Sequence, residues 1–233
     1  MPRRIVIAID GPAGAGKSTI ARRVAARLGF VYIDTGAMYR ALGLWALRAG
    51  VDLDDMQRLE QLAAAARIEF EPGSGRVLLN GEDVTEAIRT PEVASAASKI
   101  SVYGGVRRAM VAEQRRIGRQ TSVVMEGRDI GTVVFPEADV KIFLDADPAT
   151  RAQRRLHELR ERGQKADARQ VAAELEERDR RDRSRPEAPL MQAPDAVYLD
   201  TTGLSIEQVE EAVLRLVRER VANGQQVGGD SQS

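Results

Sequence analysis

The run Gly11-Pro12-Ala13-Gly14-Ala15-Gly16-Lys17-Ser18 constrains this chain more than any other stretch. It fills every fixed position of the pattern G-x-x-x-x-G-K-[ST]. Its flanks fit as well. Ile5-Val6-Ile7-Ala8-Ile9 is a short, β-branched run that reads as a buried strand. After the loop, Ile20, Ala21, Val24, Ala25 and Leu28 recur at helical spacing, with Arg22, Arg23 and Arg27 on the opposite face. Gly29 is placed to end that helix. A strand, a glycine-rich loop and a helix in this order make a cradle for phosphate. Glycines let backbone N–H groups approach, and the helix N-terminus adds partial positive charge. Lys17 is then spaced to reach the β- and γ-phosphates of a nucleoside triphosphate, and the Ser18 hydroxyl to ligate Mg²⁺.

Charge narrows the choice further. Among 233 residues, Lys+Arg and Asp+Glu are 35 each, so the formal net charge is zero. No global field is available to hold a nucleic-acid backbone or an anionic membrane surface. Aromatic residues, at 4%, are too few for a stacking platform. Cysteine is absent, which excludes disulfides and thiolate metal sites and is compatible with the cytoplasm. The apolar run after Arg3 and Arg4 is too short for a signal-peptide core and ends at Asp10. No segment has the length of a membrane span.

The rest of the chain alternates strands and helices. Val31-Tyr32-Ile33 reads as a second strand, and Met38, Leu42, Trp45 and Ala49 mark a helical face closed by Gly50. A further helix is expected over 53–66. Residues about 67–90 carry short β-type runs broken by Pro72-Gly73-Ser74-Gly75 and Asn80-Gly81, a small antiparallel insertion. Thr90-Pro91 opens a helix, and helices are expected over 91–101 and 104–119. The runs 121–125, 140–144 and 196–199 are strand candidates. Residues 149–187, dominated by Arg, Glu, Asp, Gln and Ala and broken at Gly163, predict two solvated helices with a hinge. Ser205 with Gln208 forms a capping box before an apolar face of Ile206, Val209, Val213, Leu216 and Val217. The Gly/Gln/Ser-rich tail, 223–233, reads as disordered.

Five strand candidates alternating with helices predict a five-stranded parallel sheet with helices on both faces. Ligands bind such sheets at the carboxyl ends of the strands. Asp10, Asp34, Glu126, Asp145 and Asp200 all follow strand candidates there.

Four segments together resemble one family. They are 9–17 (Ile9-Asp10-Gly11 through Lys17), 34–40 (Asp34-Thr35-Gly36-Ala37-Met38-Tyr39-Arg40), 126–136 (Glu126-Gly127-Arg128-Asp129 through Pro136) and 177–185 (Glu177-Arg178-Asp179 through Arg185). In these, and in the size of its β insertion, the chain is similar to the bacterial cytidylate kinases, over about residues 4–220. The resemblance implies transfer of a phosphoryl group from MgATP to CMP or dCMP, by a monomer. It implies a core of 1–34, 119–148 and 188–222, a monophosphate-binding region over 35–118, and an arginine-rich helical lid within 149–187. Arg151, Arg154, Arg155, Arg160 and Arg162 fall on that lid, with Arg154 and Arg155 implied to contact ATP beside residues 11–19, Thr19 included.

For the acceptor, the resemblance implies contacts from Thr35, Tyr39, Arg40, Ser98, Arg107, Arg128, Asp129, Arg178, Asp182 and Arg185. Lys17, Arg128, Asp129 and Arg178 are the implied catalytic set. Glu126 is implied to reach Mg²⁺ through a water. Two positions depart from the family's common pattern: many members have serine at 35, and position 126 is often aspartate. The residues support the same class by themselves. A monophosphate acceptor is already ionised, so alignment and charge neutralisation suffice. Arg178, Asp182 and Arg185 lie at i, i+4 and i+7, on one helix face. By spacing alone that face reads rather as an exposed salt-bridged stripe, while Ser98 could equally be a surface position and Tyr39 core. His157, the only histidine, reads as exposed and outside the chemistry.

Two other readings stand beside this one. Another kinase of the same fold, acting on UMP or a small alcohol, shares the phosphate loop. A guanine-nucleotide switch needs an N-K-x-D element, which is missing, and the lone D-x-x-G match at 200–203 is at the wrong end of the chain.

Overall fold

The computed structural model describes residues 3–161 and 163–227, with side chains described as far as 221. In chain order the first half runs β1 (Val6–Asp10), α1 (Lys17–Leu28), β2 (Val31–Asp34), α2 (Thr35–Arg48), α3 (Met56–Ala65), β3 (Ile68–Phe70), β4 (Val77–Leu79), β5 (Glu82–Asp83), α4 (Pro91–Ile100) and α5 (Gly104–Gly118). The second half runs β6 (Val123–Gly127), β7 (Val140–Asp145), α6 (Pro148–Glu161), α7 (Ala168–Ser184), β8 (Val197–Asp200) and α8 (Ile206–Val227). A π-type turn over Ile130–Val134 follows β6 and was not legible in the sequence.

Five strands form one parallel sheet in the order β2-β6-β1-β7-β8. β3, β4 and β5 form a separate antiparallel sheet, the expected insertion. Strand alternation sends side chains to two cores. Ile7, Ile9, Val124, Ile142 and Leu144 pack under α1 and α8, while Ala8, Ile33, Val123 and Met125 pack under α2 and α5. The five acids at the strand ends all stand at the carboxyl edge, with Asp34 opposite Glu126 and Asp145 opposite Asp200 in register.

The caps form as their residue types require. Asp34 accepts from Ala37 N at 2.9 Å, Thr90 from Val93 N at 3.2 Å, and Asp147 from Thr150 N at 2.8 Å. Ser205 and Gln208 exchange the two bonds of a capping box. Gly29 sits in the left-handed region, φ 68°, beyond α1.

Four expectations need correction. Residues 149–187 are not a pair of wholly solvated helices. Arg151, Val171, Leu175, Asp179 and Asp182 are buried, because α6 and α7 pack on each other and on Ala13 of the loop. Ile206, in the first turn of α8, is exposed, and Leu214 takes its place beside Val213 in the core. Ala49, at the end of α2, is exposed, and Ala46 is buried instead. Helix α8 also runs past Asn223 to Val227; residues 228–233 of the expected tail lie outside the described residues.

Candidate active site

The phosphate loop leaves β1 at Asp10 and enters α1 at Lys17. Two glycines are dictated by their surroundings. A Cβ on Gly11, φ +149°, would lie 1.9 Å from the carbonyl oxygen of Leu144, and one on Gly14, φ +76°, 2.9 Å from that of Arg151. Lys17 is buried and donates to the Pro12 carbonyl at 2.7 Å, folding back along the loop. Loss of hydration, and then the charges of Arg128 and Arg178, outweigh nearby Glu126 and push Lys17 down to about 7.

Beside the loop, β2 and β6 end in a pair of carboxylates. Glu126 accepts a hydrogen bond from Tyr32 Oη, and the nearby Ser18 side chain favours its charged form. Burial first, then the charge of Asp34, holds Glu126 above the usual carboxylate range. Asp34 is kept below that range in spite of burial, by Arg40 and by the amide of Ala37. Arg40 Nη2 donates to Asp34 at 2.8 Å, and Thr35 Oγ1 donates to the Glu126 carbonyl at 2.7 Å.

On the far side, Arg107 Nη2 donates to Asp129 Oδ2 at 2.5 Å, with side chains only 5% and 11% exposed. The guanidinium lies 6.0 Å from the ring centre of Tyr39 and also donates to Ser101 O at 3.3 Å. Burial raises the Asp129 carboxyl above its ordinary range despite that cation. Burial likewise pushes the Tyr39 hydroxyl up to about 12.

Helix α7 closes the third side. Asp182 accepts from Arg128 Nε at 2.8 Å and from Arg185, so it ties the loop after β6 to the helix. Burial opposes ionisation of Asp182, but Arg128, Arg185 and Arg178 hold it below the usual range. Arg185 also reaches Ser101 Oγ at 3.3 Å. Arg178 stands in the open mouth of the cleft. Solvent reaches it from one side, while the protein around it and the like charge of Arg128 pull it down to about 10. The i, i+4, i+7 face is therefore turned inward at Asp182 and Arg185, not laid out as a solvated stripe.

The structure thus brings Lys17, Ser18, Glu126, Arg128 and Arg178 together, and beside them Asp129, Arg107, Asp182, Arg185 and Tyr39. Ser98 is at the rim, where it accepts from Arg181 Nη1 at 3.0 Å. The arginines of α6 divide. Arg151 is buried, donating to Ala13 O at 3.1 Å, to Ala146 O at 3.0 Å and to Asp179 Oδ2 at 2.5 Å. Arg154 donates to Thr201 O and Oγ1, each at 2.8 Å, beside Gly16 of the loop. Arg155 pairs with Glu158, and Arg160 is exposed. Arg162 lies outside the described residues. His157 is 75% exposed and pairs with Glu161 at 3.2 Å, away from the cleft.

Sequence reasoning missed Asp10 as a ligand of backbone amides, Ser101 as a shared partner of Arg107 and Arg185, and the Arg151–Asp179 pair. Only Asp10 carried a signal, its place directly before the loop.

The donor set beside the loop suits a hard cation. Ser18 Oγ and the Glu126 carboxylate are neighbouring oxygen ligands, as Mg²⁺ prefers. Among the described residues no cluster of three or more His, Asp or Glu is arranged to hold a metal. Phosphates and water would have to complete the shell.

The family model for cytidylate kinase matches residues 7–219. The chain belongs to the cytidylate kinase family. It is 68% identical over 224 residues to the cytidylate kinase of Solibacter usitatus (strain Ellin6076), covering 95% of this chain and 96% of that protein. It is 52% identical over 223 residues to the cytidylate kinase of Geobacillus kaustophilus (strain HTA426), covering 95% and 100%. Among solved structures, an uncharacterized protein from Eubacterium ventriosum ATCC 27560 matches at a TM-score of 0.52 and 11% identity, covering 92% of this chain and 99% of the other. That likeness concerns the fold alone. The four segments that resembled cytidylate kinases are those that converge in the cleft: the loop, the start of α2, the turn after β6 and the last turns of α7.

Proposed function

We propose that this protein transfers the γ-phosphoryl group of ATP to CMP or dCMP, giving ADP and CDP or dCDP. One observation carries the reading: a buried Asp129–Arg107 pair stands at one end of a cleft whose other end is the phosphate loop, with Arg128 and Arg178 between. Two anions held end to end need that distribution of charge.

On this reading residues 11–19 and Lys17 hold the triphosphate, with Arg154 and Arg155 beside it. Arg40, Arg128 and Arg178 receive the monophosphate, for which Arg40 must leave Asp34. Thr35, Asp182 and Arg185 bound the sugar and phosphate, and Ser98, Arg107, Asp129 and Tyr39 surround the base. An ionised monophosphate oxygen attacks the γ-phosphorus in line, the bond from the γ-phosphorus to the bridging oxygen breaks, and ADP leaves. No proton need be removed from the nucleophile. Lys17, Arg128 and Arg178 neutralise charge on the transferring group and fix its approach. Ser18, and Glu126 through a water, would hold Mg²⁺, which when bound supplies further charge neutralisation on the phosphates.

Base choice follows from Asp129. A carboxylate accepts from the cytosine amino group, whereas uracil presents a carbonyl there and leaves two acceptors facing each other. The segment α6–α7 would close over ATP and exclude water. The reading carries with it a monomer at work in the cytoplasm. No helix among the described residues is long and apolar enough to cross a membrane.

The test is a panel of acceptors at fixed MgATP, with ADP formation as the readout. CMP and dCMP should be used far faster than UMP, AMP or GMP. Equal rates across the panel would overturn the assignment.

A further inference from the structure

The turn that carries Arg128 and Asp129 into the cleft begins at the end of β6 and coils as Ile130–Val134. Its own bonds run from Val133 N and Val134 N to Asp129 O, and from Phe135 N to Ile130 O. The first amides of the turn point the other way. They meet Asp10, the last residue of β1: Oδ1 accepts from Ile130 N at 2.8 Å and Oδ2 from Gly131 N at 2.8 Å. Asp10 is 5% exposed and immediately precedes the phosphate loop. At Gly131 the space beside the turn is shared with the Lys141 side chain. A Cβ there would sit 3.2 Å from Lys141 Cδ and 3.4 Å from Asp10 Oδ2.

One carboxylate therefore joins the start of the donor loop to the two amides directly behind the acceptor-binding residues. We propose that Asp10 is a positioning residue of the phosphoryl transfer, setting where Arg128 and Asp129 stand relative to the phosphate loop while touching neither nucleotide. Two neighbouring N–H groups aimed the same way need an acceptor at both oxygens. Only a carboxylate supplies that; an amide of the same size offers one acceptor and one donor. The donor then faces an N–H, and the turn must shift. Misplacement by about 1 Å can cost on the order of 100-fold in such a reaction.

The inference rests on the proposed acceptor site, so the test carries Asp129→Ala in parallel. Asp10→Asn should raise KM for CMP by about 10-fold or more and lower kcat/KM for CMP by about 100-fold. Binding of a non-hydrolysable ATP analogue, measured without CMP, should stay within about 3-fold of the parent. A purely structural cap would instead lower Tm and weaken both nucleotides alike, or leave the nucleotide constants unchanged; either result overturns the proposal. If Asp129→Ala leaves CMP kinetics intact, the acceptor site itself is wrong. If Asp129→Ala weakens CMP and Asp10→Asn does not, the positioning role alone falls. Should Asp10→Asn fail to fold, Asp10→Glu decides, since it keeps both acceptor oxygens but its extra methylene moves them, and the turn they hold, away from β1. It should give the same split between CMP and the ATP analogue, and an unchanged KM for CMP overturns the proposal.

Discussion

Arg107 meets Asp129 at 2.5 Å with both side chains almost wholly out of water. A carboxylate expected to recognise a base is thus already paired and oriented before any base arrives. Its position is set by a cation that is itself stacked near Tyr39 and bonded to Ser101.

That pairing has a cost when broken. Asp129→Ala strands a buried guanidinium and should destabilise the protein by about 3–5 kcal/mol in urea unfolding. Adding Arg107→Ala should recover part of the loss, giving a coupling energy of about 1 kcal/mol or more in a double-mutant cycle. Strict additivity would mean the pair contributes nothing as a pair.

Lys17 offers a pH test. Its pKa in the folded protein is pushed down to about 7 from 10.5, so at pH 8 it is mostly neutral. A bound triphosphate favours the charged form. ATP binding at pH 8 should therefore draw a proton from solution, seen as a buffer-dependent heat in titration calorimetry, and ATP affinity should fall as pH rises above 7. Proton release at pH 8 would contradict the assignment. Lys17→Ala should lower kcat by about 10²-fold or more, as for other preorganised donors.

Gly11 tolerates no side chain. At φ +149°, with the Leu144 carbonyl 1.9 Å from the Cβ position, Gly11→Ala has no small adjustment open to it. It should cost more than about 4 kcal/mol, or prevent folding, as judged by thermal denaturation. Gly29→Ala, where nothing lies within 4 Å of the added carbon, should cost only the strain of its left-handed backbone, about 1 kcal/mol.

Arg178→Ala removes an exposed cation from the mouth of the cleft. Stability should change by less than about 1 kcal/mol, while KM for CMP rises. A large fall in Tm with unchanged CMP kinetics would return Arg178 to a structural part.

Much of this was legible in the sequence because it is local. The loop pattern, the caps at Thr90 and Ser205, and the β-branched strand runs each depend on neighbours within a few residues. The acids at the strand ends could be placed because a parallel sheet gathers its carboxyl edges. What escaped was long-range pairing. Nothing near Arg151 in the chain announces Asp179, 28 positions on, and the composition of 149–187 therefore looked fully solvated. Ser101 reads as an ordinary residue after α4 until α5 and α7 bring Arg107 and Arg185 to it. Ile206 shows the converse: periodicity marks a face but not which of its residues find a neighbour to cover them.

The close approach of Gly14 to the backbone of Arg151 has a mechanical result. The root of α6 is wedged on the phosphate loop and held there by the Arg151 guanidinium, so a displacement of one pulls on the other. A swing of α6 would then pivot beyond that contact, and the loop would keep its shape while the far end of the helix moves.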